Sequence, residues 1–350
     1  MIPPAGSRSP QHNSSQYLSL ISVGHFHPTT IMDNEFLTSL EIGVDTTWVM
    51  ERVGIRERRT VLPLDYIRQT RNQDPRAAAE ASMFSDAQTG AKAACHALSR
   101  AGLNAKDIGM VIAGGCSPQL SIPAQACLTA AELQIECPAF DVNSACSSFA
   151  AQIHLLNSMR PETLPDYILV VNVENTTRTV NYNDRRTAVL WGDCTSAAIL
   201  SPRAPGRACI EASVLHSDPS GWKHVVIPAG GHFQQDGQAV QSFAIRKTLG
   251  TFSELVAELP PDSHPAFIGH QANALMLDGV CRRADITPDR HLYNVDRFGN
   301  CGAAGAPSVL SENWDAIKNE YLSVVVVGSG LTWGGVLFHF SNSNHKGNGG

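Results

Sequence analysis

Four short runs dense in aliphatic and β-branched residues constrain this chain most: Met110-Val-Ile-Ala-Gly-Gly115, Tyr167-Ile-Leu-Val-Val-Asn-Val173, Ala266-Phe-Ile-Gly269 and Leu322-Ser-Val-Val-Val-Val-Gly328. None alternates apolar with polar residues, as a half-exposed strand would. Each therefore predicts a strand covered on both faces. Helical stretches lie before and between them, among them 87–102, which ends on Gly102 as helices often do, and 147–159. Strands buried on both faces need a layer of helices on each side, so the alternation predicts an α/β fold. With 350 residues, 43% of them apolar, the chain can bury a large core as one or two domains. The break Ser201-Pro-Arg-Ala-Pro-Gly206 separates two halves, 17–205 and 206–340, between which no sequence repeat is visible.

The chemistry starts at Asp141-Val-Asn-Ser-Ala-Cys146-Ser-Ser-Phe149. This stretch follows the apolar Pro138-Ala-Phe140 and leads into an Ala/Gln/Leu-rich run. It reads as strand, tight turn, then a helix starting at or just after Cys146. A thiol at a helix N-terminus faces unpaired N–H groups and the positive end of the dipole, and both favour thiolate. A small buried core cysteine is the plain alternative. Two distant segments weigh toward a nucleophile. Phe267-Ile-Gly-His270 sets a histidine directly after a strand, and Arg297-Phe-Gly-Asn300-Cys-Gly-Ala-Ala-Gly sets an asparagine in a Gly/Ala-rich turn before a helix. A cysteine nucleophile needs a proton partner and a donor for charge on a substrate oxygen, and Cys146, His270 and Asn300 supply these types.

In this order and spacing, the chain resembles the β-ketoacyl-acyl-carrier-protein synthase III family of thiolase-fold condensing enzymes from about residue 17 to 340. Further marks of the resemblance are Trp48-Val-Met-Glu-Arg52-Val-Gly-Ile-Arg-Glu-Arg58-Arg59, Trp191-Gly-Asp193, His270-Gln-Ala-Asn273, and Gly328-Ser-Gly-Leu-Thr-Trp-Gly334. The resemblance implies a duplicated α/β unit forming a five-layered αβαβα sandwich. It implies an acyltransferase that loads an acyl group from acyl-CoA onto Cys146. A malonyl thioester then loses carbon dioxide, and the resulting carbon nucleophile attacks the acyl-enzyme. His270 and Asn300 would stabilise the enolate oxygen, and the backbone N–H groups of Cys146 and Ser329 the tetrahedral oxyanion. Trp48 and Arg185 would sandwich the CoA adenine, with Arg52 nearby and Asn273 beside the pantetheine. Ile122 would close the acyl pocket of a neighbouring subunit. No bound cofactor is implied; acyl-CoA and the malonyl thioester are substrates. Acyl carrier protein and a second copy of the chain, as a homodimer, are the partners expected.

Other features narrow the reading. Net charge is −6 and the pI about 6.1, so a basic nucleic-acid footprint is absent. No uninterrupted apolar run suggests a membrane span. Residues 1–16 are polar without a signal-peptide core and read as a disordered tail, as do 341–350. Nine cysteines without C-x-x-C pairs argue against a disulfide framework or a standard zinc site and suit a reduced, cytoplasmic setting. The glycines of 328–335 do not fit G-x-G-x-x-G. They read as a tight strand–turn–strand whose backbone approaches another group closely.

Departures from the family pattern suggest a specialised member, of fatty-acid or polyketide type. Cys146-Ser147-Ser148 replaces the usual Cys-Ser-Gly, and Cys301-Gly302 follows Asn300. Residues 64–85 form a longer segment than usual, expected to carry specificity. Residues 232–258 match the usual cofactor-channel segment poorly. Leu275 stands where a basic residue often docks the carrier protein, with Arg246, Lys247, Arg282 and Arg283 as compensating candidates. A non-decarboxylating acyltransferase acting on a hydroxyl or amine, and a non-catalytic subunit, are the rival readings.

Overall fold

The computed structural model describes residues 18–341. The expected tails at 1–16 and 341–350 lie, but for residue 341, outside the described residues. Nine strands form one mixed sheet: β1 (Ser19–Phe26), β2 (Met110–Gly114), β3 (Ala139–Asp141), β4 (Ile168–Glu174), β5 (Cys194–Ser201), β6 (Ala208–Ser217), β7 (Ala266–Gly269), β8 (Tyr321–Gly328) and β9 (Thr332–Phe340), in the order β7-β8-β9-β6-β1-β5-β4-β2-β3. The helices that frame it are α1 (Thr46–Val53), α2 (Asp86–Ala101), α3 (Gln125–Glu132), α4 (Ser148–Ser158), α5 (Gly237–Val256), α6 (Ala274–Arg283) and α7 (Gly302–Asn313).

The topology contains the same unit twice. In the first, β1-α2-β2-α3-β3-α4-β4-β5 places β2 parallel to β4, then β4 antiparallel to β5 and β5 antiparallel to β1. In the second, β6-α5-β7-α6-α7-β8-β9 repeats those senses: β7 is parallel to β8, β8 antiparallel to β9, and β9 antiparallel to β6. Where the first unit adds β3 beside β2, the second has only a parallel bridge from Phe267 to His291. The two half-sheets meet where β1 and β6 pair at Ser19↔Cys209 and Leu20↔Ala208.

Packing against both half-sheets puts α4 and α7 between them. Helices α2 and α3 cover the outer face of the first half-sheet, and α5, with α6 packed on it, that of the second. The result is the five-layered αβαβα thiolase fold. Sequence explains the placement. All of β4 and β5 is buried, as suits strands dense in apolar and small residues and covered on both faces. The central helices have no polar stripe: every residue from Gly302 to Ser311 is buried, and α4 buries Phe149, Ala150, Ala151, Gln152 and Ile153. Their Phe149, Ile153, Leu156, Val309 and Leu310 form one core with Leu20, Val170, Leu200, Ile268, Val324 and Phe338 of the sheets. Full burial of a side chain such as Phe149 is worth roughly 1.5–3 kcal/mol.

Residues 64–85 are not an open loop. They form two short helices, Leu64–Thr70 and Pro75–Ala81. Buried Asn72 fastens them by donating to the carbonyls of Arg178 and Val180 at 2.8 and 2.9 Å. Among the described residues, no helix is long and apolar enough to cross a membrane.

Candidate active site

The nucleophile turn is braced at each step. β3 ends at Asp141, Ala145 adopts a left-handed φ of 47°, and α4 begins at Ser148 with Ser147 as its N-cap. Ser148 Oγ accepts from the Ser144 N–H at 2.9 Å and donates to the Ala145 carbonyl at 2.6 Å. The serine that departs from the family pattern thus closes the turn. Cys146 is buried yet lines a cavity of about 440 Å³.

His270 and Asn300 line the same cavity. His270 follows the end of β7, is buried, and stands near enough to Cys146 to favour its thiolate. A clip presents Asn300: its N–H donates to the Leu190 carbonyl at 2.8 Å, and its own carbonyl accepts from the Gly192 N–H at 3.1 Å. This accounts for Trp191-Gly-Asp193. Trp191 bridges Asn300, and the buried Asp193 carboxylate accepts from the N–H groups of Val61 and Thr177 at 2.7 and 2.8 Å. The side chain of Asn300 is fixed as well. Its Oδ1 accepts from the Gly302 N–H at 3.0 Å. An N–H can only donate, so Oδ1 is assigned and Nδ2 remains as the donor.

Two residues in this cluster were not anticipated. Cys116 follows β2, and its Sγ lies 3.3 Å from Cys146 Sγ. Glu174 ends β4 fully buried. It accepts from the N–H groups of Cys116 and Ala303 at 2.9 and 2.8 Å and from Thr176 Oγ1 at 2.8 Å. Gly302, at φ 48°, makes room for it: a Cβ there would sit 2.4 Å from Glu174 Oε1. A signal was present in the sequence, because a carboxyl group that closes a largely apolar, buried strand must be partnered.

The electrostatics follow from these contacts. The Cys146 thiol is pulled down to about 5, first by the hydrogen bond from Cys116; burial opposes this, and the His270 ring adds to it. Cys116 is pushed well up, by that same hydrogen bond and by burial. Burial, together with the nearby Cys146 thiolate, pushes Glu174 up to about 8. Cys146 is therefore the thiolate of the pair.

Ser329 also lines the cavity, in the turn between β8 and β9. The close approach expected of this glycine-rich segment is present. A Cβ on Gly328 would lie 2.8 Å from the Ser147 nitrogen and 3.0 Å from the Ser144 oxygen. At the mouth, the Arg52 and Arg185 guanidinium carbons lie 4.7 and 5.5 Å from the centre of the Trp48 ring. Trp48 and Arg52 line the cavity, as does Arg186, whereas Arg185 does not. Asn273 lines it too, but its side chain is already engaged. It caps α6 by accepting from the Met276 N–H at 3.0 Å and donates to the Arg52 carbonyl at 3.1 Å. Ile122 is 84% exposed and lies away from this cavity.

The cavity walls show where the specificity expectation needs correcting. No residue from 64–85 lines the cavity. The poorly matching segment does: Phe233, Gln235, Val240, Phe243 and Ala244 form a wall, with Met276 and Leu331 opposite in sequence. Of the basic candidates, Lys247 covers the Trp333 ring at 3.9 Å.

Comparison with known proteins agrees with this arrangement. The family model of 3-oxoacyl-[acyl-carrier-protein (ACP)] synthase III matches residues 140–219, and its C-terminal model matches 256–340. The β-ketoacyl-[acyl-carrier-protein] synthase III of Syntrophomonas wolfei is 30% identical over 353 residues, covering 92% of this chain and 97% of that protein. That of Xanthomonas campestris is 28% identical over 344 residues, covering 93% and 98%. The crystal structure of 3-oxoacyl-[acyl-carrier-protein] synthase III from Aquifex aeolicus superposes with a TM-score of 0.82 at 25% identity, covering 92% of this chain and 100% of that one. With a turn-borne cysteine, a histidine and an asparagine gathered in one cavity of a duplicated α/β frame, the chain belongs to the β-ketoacyl-acyl-carrier-protein synthase III family of acyltransferases, condensing enzymes of the thiolase fold.

Proposed function

We propose that Cys146 takes an acyl group from an acyl-CoA and that the acyl-enzyme then condenses with a malonyl thioester that loses carbon dioxide. The observation that carries this reading is the pinned Asn300 amide. With Oδ1 held by the Gly302 N–H, Nδ2 is a fixed donor in the cavity that also holds Cys146 and His270. A fixed donor suits the enolate oxygen that develops on decarboxylation, which simple acyl transfer to an alcohol or amine does not form.

The steps follow from the chain's own groups. The Cys146 thiolate attacks the thioester carbonyl, and the oxyanion that forms is held by the N–H groups of Cys146 and Ser329. Collapse releases CoA as the leaving thiol. In the second half-reaction His270 and Asn300 donate to the malonyl thioester oxygen while its carboxylate departs as carbon dioxide. The carbon nucleophile attacks the acyl carbon, and Cys146 leaves as thiolate. Trp48 with the Arg52 and Arg185 cations offers a π face and positive charge suited to an adenine nucleotide at the mouth. The relatives are named for an acyl carrier protein, and we assign the malonyl group to such a carrier. Exposed Ile122 is assigned to the acyl pocket of a second copy in a homodimer.

Intact-mass spectrometry with acyl-CoAs from acetyl to long-chain, followed by malonyl-carrier protein or malonyl-CoA, tests the reading. An adduct on Cys146 that discharges with release of carbon dioxide supports it. An adduct that persists with malonyl donors but discharges onto alcohols or amines refutes the decarboxylating step.

A further inference from the structure

Cys116 takes no part in the acyl chemistry above, yet it is built into the same site. Its Sγ lies 3.3 Å from that of Cys146, from a separate loop 30 residues earlier in sequence. A disulfide bond is about 2.05 Å long, so the two sulfurs stand roughly 1.2 Å short of bonding. The loop is anchored by the Cys116 N–H, which donates to Glu174 Oε1 at 2.9 Å and so brings that carboxyl group close to the thiol. Cys116 is thus flanked by a nucleophilic sulfur on one side and a proton acceptor on the other. Both cysteines are free.

We propose that Cys116 and Cys146 form an oxidation site, in which a small hydroperoxide entering the cavity converts Cys146 to a sulfenic acid and Cys116 resolves it into an intrachain disulfide. In the first step the Cys146 thiolate attacks one peroxide oxygen. A C–S–O–H group forms, the O–O bond breaks, and hydroxide leaves. Sulfur is oxidised by two electrons and the peroxide reduced by two. In the second step Cys116 sulfur attacks the sulfenic sulfur. The S–S bond forms, the S–O bond breaks, and the oxygen leaves as water. Glu174 gives its proton to the departing oxygen and takes up that of Cys116, so that both hydrogens leave in the water. A thiol reductant reverses the sequence by two exchanges.

The charges suit this division of labour. Cys146 is the thiolate that reacts, and Cys116 keeps its proton until needed. Part of what holds a proton on Glu174 is the Cys146 charge. Sulfenic acid formation removes that charge, so Glu174 ionises more readily when Cys116 must be deprotonated.

The inference rests on Cys146 being a reactive thiol and not on which acyl groups it carries. The test uses the full chain, reduced and then exposed to hydrogen peroxide near equimolar ratio. The expected wild-type product has lost two hydrogens by intact mass and yields a linked Cys116–Cys146 peptide pair on non-reducing digestion. Dithiothreitol restores the starting mass. In Cys116→Ser and Cys116→Ala, Cys146 instead gains two oxygens as sulfinic acid, on the order of tenfold faster than in wild type and without recovery in dithiothreitol. Three wild-type results would overturn the proposal: sulfinic acid at the rate of the variants, a disulfide that excludes Cys116, or no change in mass.

Discussion

The N-termini of the two central helices occupy equivalent places in the duplicated fold, and they are finished in opposite ways. At α7, the facing strand β4 ends in Glu174, whose carboxylate accepts the Ala303 N–H at 2.8 Å. At α4, the equivalent strand β8 ends in Gly328, whose missing side chain lets the strand end pack closely on the Ser144–Ser147 turn without placing a carboxyl group there. A helix N-terminus attracts negative charge. The first unit closes one such end with the protein's own carboxyl oxygens, while the second leaves the other to the Cys146 thiolate and, in the function proposed, a substrate oxyanion. The side chains nearby follow the same plan. Cys116 and His270 come just after the equivalent strands β2 and β7, and Cys146 and Asn300 two residues before α4 and α7. Duplication supplies paired positions, and divergence at each pair makes a reactive centre from them.

Removing the group at the open end has the largest expected effect. Cys146→Ala should lower acyl-enzyme formation by on the order of 10⁴-fold or more, to the background seen by intact mass. Asn300→Ala, which alters the closed end's turn, should still acylate but release carbon dioxide about 10²–10³-fold more slowly. Measuring the two half-reactions separately distinguishes it from a folding defect, which would depress both. Gly328→Ala would give the open end a side chain, and the crowded Ser144–Ser147 turn would have to shift. Acylation should slow by about 10–100-fold with the alkylation rate of Cys146 much less affected; equal losses in both would refute an oxyanion role for this turn.

Glu174→Gln sharpens the comparison through pH. The carboxyl titrates near 8 in the folded chain against 4.5 as its ordinary value. Between these pH values the folded state holds a proton that the unfolded state has lost, so wild-type stability falls as pH rises through this window. The glutamine variant cannot titrate, and its stability should run flatter by on the order of 1–3 kcal/mol across the window, as urea midpoints at several pH values would reveal. The smallest effect is expected at the mouth. Trp48→Ala should raise the KM for acyl-CoA by about five- to tenfold with kcat little changed, the loss of roughly 1 kcal/mol of cation–π and stacking contact.

The frame was legible because burial on both faces writes itself plainly. The run Ala266-Phe-Ile-Gly269 predicted β7 to the residue, and the stretch 87–102 predicted α2 within one residue at each end. Duplication was not legible, because what the halves share is strand order and sense, which many side chains satisfy. Helix α5 was missed: Gly237, Gly250 and four threonine or serine residues dilute its apolar stripe, and tertiary packing decides it. Cys146, His270 and Asn300 were found because each sits at an abrupt change from strand or turn to helix. Cys116 and Glu174 escaped notice because their meaning lies in contacts between residues 30 or more apart. Asn273 carries a role its motif did not show: while lining the cavity, it also caps α6 and ties it to α1.

The segments that roof the cavity sit at matching points of the two repeats. Trp48, Arg52 and Val53 come from the stretch between β1 and α2, and Val225, Phe233 and Gln235 from the stretch between β6 and α5. Neither belongs to the five layers. Such an arrangement divides the labour of the fold: the connecting stretches meet the substrate, and the layered spine holds the reacting groups. Exchange of the 218–236 segment between relatives is thus a graft onto a retained reactor, and mechanism and substrate range become separable in one gene.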